Sequence, residues 1–237
     1  DMIRAGEMPT TSQANSYTFA EIFKKYSNEG SSIIYIGFSS ALSGCVNSAR
    51  IAKEAVEDEI KSADITVIDT KSASLGLGLI VYYAANMLKN GATKEEIINW
   101  IEENKLKVNH WFTVDDLNHL KRGGRVSSTV AIVGTMLSIK PIMHVDDEGR
   151  LIPVSKVKGR KKSVKELQEK LKERIVNPED QTIFISHGDC LAEAEQLRDL
   201  ILNEVKVKEV IINNVGPVIG AHSGPGTLAL FFIGNNR

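Results

Sequence analysis

The sequence lacks the features that mark several protein classes. Its two cysteines, Cys45 and Cys190, are too few for a disulfide framework or a Cys-rich zinc site, and they suit a reducing cytoplasm. With 29 Lys and Arg residues against 30 Asp and Glu residues, the chain has no excess positive charge, on which general nucleic-acid binding depends. No apolar run reaches the roughly 18 residues of a membrane span, and no signal peptide is visible. We expect a cytoplasmic protein that neither binds nucleic acid nor inserts stably into a membrane.

Several catalytic motifs are also missing from the sequence. It has no Gly-x-x-x-x-Gly-Lys-Ser/Thr loop for nucleotide phosphates and no Gly-x-Ser-x-Gly nucleophile elbow. No spacing of His, Cys, Asp and Glu suggests a metal site. We therefore predict no metal and no cofactor for the chain, and no kinase activity of its own.

Alternating strands and helices predict an α/β fold. Apolar, β-branched runs at residues 33–38 and 65–68 alternate with helical patterns, which favours a parallel sheet with right-handed crossovers. Capping boxes at Thr18 and Thr93 predict two helix starts. From about residue 110 the pattern changes, and the turn at residues 146–149 predicts a hairpin. We expect two domains, a parallel-sheet α/β/α sandwich at residues 1–109 and a mixed-sheet two-layer α/β domain at residues 110–237.

Polar residues gather at four places that folding alone does not require. Hydroxyls occur at residues 10–13 and at residues 39–44, the latter directly after a buried strand, where open α/β sheets bind ligands. Residues 121–125 combine two glycines with an arginine that can fork a carboxylate or a phosphate. Residues 216–226 hold His222 in a Gly- and Pro-rich backbone. Each segment can also be explained without a ligand, as a helix cap, a turn or a solvated loop.

Taken together, the four segments offer hydroxyls, an arginine and a histidine, and none of them contains a carboxylate. This set suits the binding of an anion. It suits general acid–base chemistry poorly, since that chemistry uses paired carboxylates or a histidine oriented by an aspartate.

The order and spacing of six motifs resemble the DegV family over nearly the whole chain. The motifs are Thr11-Ser12-Gln13, Ser39-Ser40-Ala41-Leu42-Ser43-Gly44, Asp69 with the Ser-rich loop to Gly76-Leu77-Gly78, Asp116-Leu117 with Gly123-Gly124-Arg125, Lys140-Pro141-Ile142, and Gly220-Ala221-His222-Ser223-Gly224-Pro225-Gly226. The resemblance implies a two-domain α/β protein that binds a long-chain fatty acid between its domains. It also implies the role of fatty-acid-binding subunit of a bacterial fatty acid kinase.

The resemblance further implies which residues bind the ligand. Thr11 and Ser40 would donate hydroxyl hydrogen bonds to the fatty-acid carboxylate, and Arg125 and His222 would add charge and a further donor. Supporting positions would be Ser12, Ser39 and Gly44. The acyl chain would occupy an apolar tunnel, for which residues 132–137 are one candidate wall and equally a candidate for plain core.

The implied partner is a separate kinase subunit that uses ATP and Mg²⁺ to form an acyl phosphate. Five basic residues within residues 156–162 are a candidate contact for it, or a solvated loop. Two other function classes stay open at this point. One is a hydrolase or a dihydroxyacetone-kinase-like enzyme that uses His222, and the other is a binding module for another small anion, such as a phosphosugar.

The chain departs from the family pattern in three places. It lacks the family's opening strand and Thr-Asp-Ser segment, so we expect the first sheet to be incomplete. Ala14-Asn15 stands where the family usually has Pro-Ser, and Cys45 stands where it usually has Thr. The second substitution removes a hydroxyl near the expected head group.

Overall fold

The computed structural model describes residues 2–127 and 138–237. Its α-helices are α1 (Ser16–Asn28), α2 (Cys45–Glu59), α3 (Ser74–Lys89), α4 (Lys94–Asn104), α5 (Asn118–Arg122), α6 (Arg160–Arg174), α7 (Leu191–Glu204) and α8 (Pro217–Ser223). Its strands are β1 (Ser32–Gly37), β2 (Asp64–Asp69), β3 (Val108–Thr113), β4 (Ile139–Val145), β5 (Leu151–Lys158), β6 (Thr182–His187), β7 (Glu209–Asn214) and β8 (Leu228–Ile233). No helix among these residues is long and apolar enough to cross a membrane.

The smaller sheet consists of β1 and β2, which pair in parallel from Ser32 opposite Asp64 to Gly37 opposite Asp69. Successive side chains of a strand point to opposite faces. Ile33 and Ile65 accordingly pack with α1 and α2, while Ile34 and Ile68 pack with α3 and α4. Helices therefore cover both faces of this sheet, as the predicted α/β/α sandwich requires.

The larger sheet has six strands in the order β5-β4-β3-β8-β6-β7. Only β6 and β7 are parallel, and the other neighbours are antiparallel. Helices α6 and α7 cover one face through Leu167 and Leu197. The mixed sheet and the β4–β5 hairpin confirm the sequence prediction. The strand β3 begins at Val108, close to the expected domain boundary, but the division at residues 109 and 110 stays a prediction.

Helix α3 packs between the two sheets. Its buried residues Leu79 and Ile80 share one apolar cluster with Ile68 of the smaller sheet and with Phe112 and Phe231 of the larger one. Helix α3 therefore covers one face of the smaller sheet and also the face of the larger sheet opposite α6 and α7. This packing brings the loops at the carboxyl end of β1 and β2 toward strands β3, β6 and β8.

The two capping predictions have different outcomes. The Thr93 box is confirmed, since Thr93 Oγ1 accepts a hydrogen bond from Glu96 N and Thr93 N donates to Glu96 Oε2. The Thr18 prediction is wrong, because α1 begins at Ser16 and Asn15 is its N-cap, accepting from Thr18 N at 2.9 Å. Asn is among the best N-cap residues, so the family departure at Asn15 supplies the helix start.

Arg237 ties the loops of both halves together. Its buried guanidinium donates hydrogen bonds to the carbonyls of Lys71, Lys105, Val108 and Asp146 and to the Ser72 hydroxyl. Burial lowers the pKa of Arg237 to about 10, so the group stays charged at neutral pH. A charged donor that is fully partnered in this way fixes the loop after β2 against β3 and the β4–β5 turn.

His144 is a buried histidine held neutral by the larger sheet. Its ring stacks on Trp111 with ring centroids 4.2 Å apart, and its Nδ1 donates to the carbonyl of His110 at 2.9 Å. Burial lowers the pKa of His144 from 6.5 to about 4. The unfolded chain therefore binds a proton at this residue between pH 6.5 and 4, and the folded chain does not.

We predict that the free energy of unfolding is insensitive to His144 above pH 6.5 and falls as the pH drops toward 4, by up to about 3 kcal/mol from this group. His144→Phe keeps an aromatic ring on Trp111 and should flatten this part of the pH dependence in denaturant titrations. Phe232→Leu, a core change with no titrating group, should lower stability equally at every pH. An unchanged slope in His144→Phe would refute the assignment.

Candidate functional site

A cavity of about 590 Å³ lies where the two sheets approach each other. Residues of the first half, among them Tyr35, Phe38 and Leu42, line one side, and strand residues such as Phe112 and Phe231 line the other. Side chains of α8 and the loop before it complete the apolar wall, namely Val215, Val218 and Ile219. Its size falls within the range of small-molecule sites.

One end of the cavity is polar. Thr11 Oγ1 and His222 Nε2 are hydrogen-bonded at 2.7 Å, although they are 211 residues apart in the chain. The Arg125 guanidinium donates through Nε to the Leu42 carbonyl at 3.2 Å and through Nη1 to the Gly123 carbonyl. All three side chains line the cavity. The structure thus brings Thr11, Arg125 and His222 together in one cavity, and their role in binding a ligand stays a prediction.

Gly123 explains how His222 reaches this position. A β-carbon at residue 123 would lie 2.2 Å from His222 Nδ1, so any larger residue would displace the ring. The paired glycines predict that another group approaches the backbone closely, but the sequence does not identify that group. In the structure it is the imidazole of His222.

The polar end carries one positive charge beside a neutral imidazole. Burial lowers the pKa of His222, and the nearby Arg125 charge lowers it further, so the imidazole is neutral at pH 7. Arg125 has five N–H donors, two of which bind the carbonyls of Leu42 and Gly123. The other three find no acceptor among residues 2–127 and 138–237. Against the described part of the chain these three N–H groups are unpaired, and guanidinium donors of this kind can bind an anion.

The other predicted site residues lie in different surroundings. Ser12 lines the cavity beside Thr11, and Gly44 is the N-cap of α2, packed against the Gln13 side chain. Ser39 is fully buried and donates to the Gly149 carbonyl at 2.8 Å. These three positions support the loops around the polar end.

The structure does not bring Ser40 to the cavity. The Ser40 hydroxyl donates to the Asp69 carboxylate and accepts from Lys71 Nζ at 3.0 Å. Burial raises the pKa of Asp69, but hydrogen bonds from the side chains and backbone of Lys71 and Ser40 outweigh it and hold the pKa below its usual range. Ser40 therefore belongs to a polar cluster at the ends of β1 and β2.

Ser43 and Cys45 both line the cavity, although the sequence-based set of ligand-binding residues names Ser40 from this loop and neither of these two. The loop after β1 turns at Ser39, whose carbonyl accepts from the backbone N–H groups of Leu42 and Ser43, so Ser40 and Ser43 take up different surroundings. Gly44, and not the hydroxyl residue Ser43 before it, is the N-cap of α2. The proposed tunnel wall at residues 132–137 lies outside the described residues. Within the described part of the chain, no group of three His, Cys, Asp or Glu residues is placed to hold a metal ion.

The family follows from comparison with known sequences. A family model described as uncharacterised protein, DegV family, matches residues 1–235. The chain belongs to the DegV family. A DegV domain-containing protein of Clostridium perfringens is 53% identical over 235 residues, which are 99% of this chain and 81% of that relative.

Solved structures of the family share the fold. A Thermus thermophilus DegV family protein, described as fatty acid binding, superposes with a TM-score of 0.87 at 30% identity and covers 98% of this chain and 81% of its own. The Streptococcus pneumoniae Fatty Acid Kinase (Fak) B3 protein loaded with linoleic acid gives a TM-score of 0.88 over 99% of this chain and 81% of its own. At 22% identity, that second likeness shows the fold alone.

We predict that Arg125→Ala raises the pKa of His222 toward 6.5, because it removes the neighbouring positive charge while burial remains. The chain offers a matched control in Arg122, which donates to His119 Nδ1 and lowers the pKa of that residue, again after burial. Arg122→Ala should raise the pKa of His119 and leave that of His222 unchanged. NMR titration of the imidazole resonances measures both, and a crossed or absent response would contradict the geometry.

Proposed function

We propose that this protein binds a long-chain fatty acid in the cytoplasm and presents its carboxylate to a separate ATP-dependent kinase subunit for acyl-phosphate formation. The observation that carries the proposal is the single cavity in which an apolar wall ends at Thr11, Arg125 and His222. A ligand with one anionic end and a long apolar remainder matches that distribution.

The polar end has the donors that a buried carboxylate requires. An anion out of water is costly unless it is paired and hydrogen-bonded, and arginine binds a carboxylate through two parallel N–H donors. The carbonyls of Leu42 and Gly123 fix the guanidinium of Arg125 before any ligand arrives. Such preorganisation lowers the entropy lost on binding.

Thr11 and His222 form a hydrogen-bonded pair whose Thr11 hydroxyl would bind the same carboxylate. In the tautomer with hydrogen on Nε2, His222 donates to Thr11 Oγ1 across 2.7 Å, and the Thr11 hydroxyl hydrogen is then free to donate to the ligand. The lowered pKa of His222 keeps the ring neutral. Arg125 is then the one cation among the described residues that line the cavity, and the neutral Thr11–His222 pair beside it would bind the ligand without a second charge.

The apolar wall would hold the acyl chain. Phe38, Phe112 and Phe231 line the cavity together with aliphatic side chains from both halves. Each buried methylene contributes about 0.8 kcal/mol, so a long chain gains most of its affinity here and the polar end sets its orientation. The Thermus relative described as fatty acid binding, at 30% identity, supports the same ligand class.

A basic surface supports the kinase partner. Lys156, Lys158, Lys161 and Lys162 are exposed on β5 and at the start of α6. The first turn of α6 contains no acidic residue, so positive side chains stand where the helix dipole already disfavours them. An acidic partner surface would relieve that repulsion. Arginine suits a phosphate as well as a carboxylate, so Arg125 fits the exchange of one for the other.

The two alternatives fit the site less well. A hydrolase or phosphotransferase that uses His222 needs an acid to orient the ring, but Nδ1 of His222 faces Gly123, and no carboxylate bonds to it among the described residues. A phosphosugar site would have a polar wall, whereas the walls of this cavity are mainly aromatic and aliphatic.

Our first functional prediction concerns Arg125. Arg125→Ala should leave the ligand carboxylate without its charged partner and weaken fatty-acid binding by about 1–3 kcal/mol, roughly 5- to 150-fold. Native mass spectrometry of the purified chain, before and after denaturation, identifies bound lipid, and titration with a fluorescent fatty acid gives the affinity. Arg122→Ala removes an equal charge three residues away and should bind like wild type. Equal affinity in both variants, or no lipid in the wild-type protein, would contradict the proposal.

The second prediction separates partner docking from lipid binding. Reversing the charge of Lys161 and Lys162 to Glu should reduce acyl-phosphate formation by a fatty acid kinase catalytic subunit roughly tenfold or more, mainly through slower association. Fatty-acid affinity should not change, since neither residue lines the cavity. Lys206→Glu with Lys208→Glu reverses two charges elsewhere and serves as the control. Equal phosphorylation of both double variants would exclude this surface.

A further inference from the structure

Cys45 places a thiol in the wall of the ligand cavity. It is the first residue of α2, it is partly exposed, and it lines the cavity. The Ser43 hydroxyl, which also lines the cavity, donates a hydrogen bond to the sulfur at 3.2 Å. Cys190, the other cysteine, is buried, does not line the cavity and donates to the Thr227 carbonyl.

The thiol belongs to the loop that holds the carboxylate end. Leu42, three residues before Cys45, supplies the carbonyl that accepts from Arg125 Nε at 3.2 Å. Gly44, its immediate neighbour, packs against the Gln13 side chain, two residues after Thr11. The backbone that carries the sulfur is therefore fixed on both sides to the residues of the polar end.

An unpartnered hydroxyl in the same wall is a second, independent sign of a ligand. Ser223 is 5% exposed, lines the cavity next to His222, and its Oγ has no hydrogen-bond partner among the described residues. A buried polar group without a partner is costly. A polar ligand atom beside His222 would supply the missing bond, which places the reactive end of a ligand near Ser223 and Arg125.

We propose that Cys45 accepts the acyl group from an acyl phosphate held in this cavity, giving an acyl thioester. This rests on the proposed function, which supplies the acyl phosphate. The sulfur attacks the carbonyl carbon, the carbon–sulfur bond forms, and the bond between that carbon and the bridging phosphate oxygen breaks. The bonding electrons leave with inorganic phosphate, which also takes up the thiol proton, so no oxidant or other co-reactant is needed.

The site provides what this transfer requires. Arg125 lies at the end where the phosphate would leave and stabilises the charge that develops on it. Ser43 is a positioning residue, because its hydroxyl donates a hydrogen bond to the sulfur and so orients it. A thiol is intrinsically far more nucleophilic than a hydroxyl, so the transfer depends on a cysteine at this position.

The test uses the full chain and synthetic hexadecanoyl phosphate. Intact-mass spectrometry should show one added hexadecanoyl group per chain, peptide mapping should place it on Cys45, and neutral hydroxylamine should remove it. Cys45→Thr, which installs the usual family residue, should reduce the adduct to background. Cys190→Ala keeps the cavity thiol and should acylate like wild type.

Parallel measurement of fatty-acid binding keeps the two proposals distinguishable. A wild-type chain that binds fatty acid and hexadecanoyl phosphate but forms no adduct would overturn the role of Cys45 and leave lipid binding intact. An adduct on Cys190 or on lysine would overturn it as well. A chain that binds neither lipid would refute the proposed function, and with it this inference.

Discussion

The burial of α3 between two sheets is the packing constraint on which the rest of the molecule depends. Leu79 and Ile80 lie in one apolar cluster with residues of both sheets, so neither sheet can move far from the other without exposing that cluster. The carboxyl-end loops of β1 and β2 are thereby held over the strands that carry Phe112 and Phe231. The cavity is the space that this arrangement leaves at the amino end of α3.

Two arginines fasten loops of the two halves by the same means. Arg237 binds backbone carbonyls on both sides of the junction, and Arg125 does so at the cavity itself. The two arginines differ in how many of their guanidinium N–H donors are paired within the protein. Arg237 has five acceptors, whereas Arg125 has two among the described residues and also lines the cavity. One residue type therefore acts once as a structural tie and once as a tie to which the proposed function adds the binding of an anion.

The sequence was sufficient to predict most helices and strands and the types of residue at the candidate site. It was not sufficient to predict every contact. Apolar runs and turn residues are local signals, so the strands, the hairpin and the Thr93 cap were predictable. Arg125 and His222 stood out because glycines surround them. Ser40 and Ser43 are chemically identical and lie three residues apart, and only the turn at Ser39 decides which one faces the cavity. Asn15 and Thr18 are both suitable N-cap residues for α1. The conformation of the chain before the helix determines which of them becomes the N-cap.

The polar end and the apolar wall of the cavity contribute differently to the selection of a ligand. The polar end is built from short motifs rich in glycine and hydroxyls, because close approach and preorganised donors demand particular residues. The wall uses ordinary apolar positions of strands and helices, such as Leu42, Val145 and Leu151, which serve the core equally well. A change in their volume alters the shape of the cavity without touching Thr11, Arg125 or His222. Under the proposed function, such changes would alter selectivity for the acyl chain and leave the donors for the carboxylate in place.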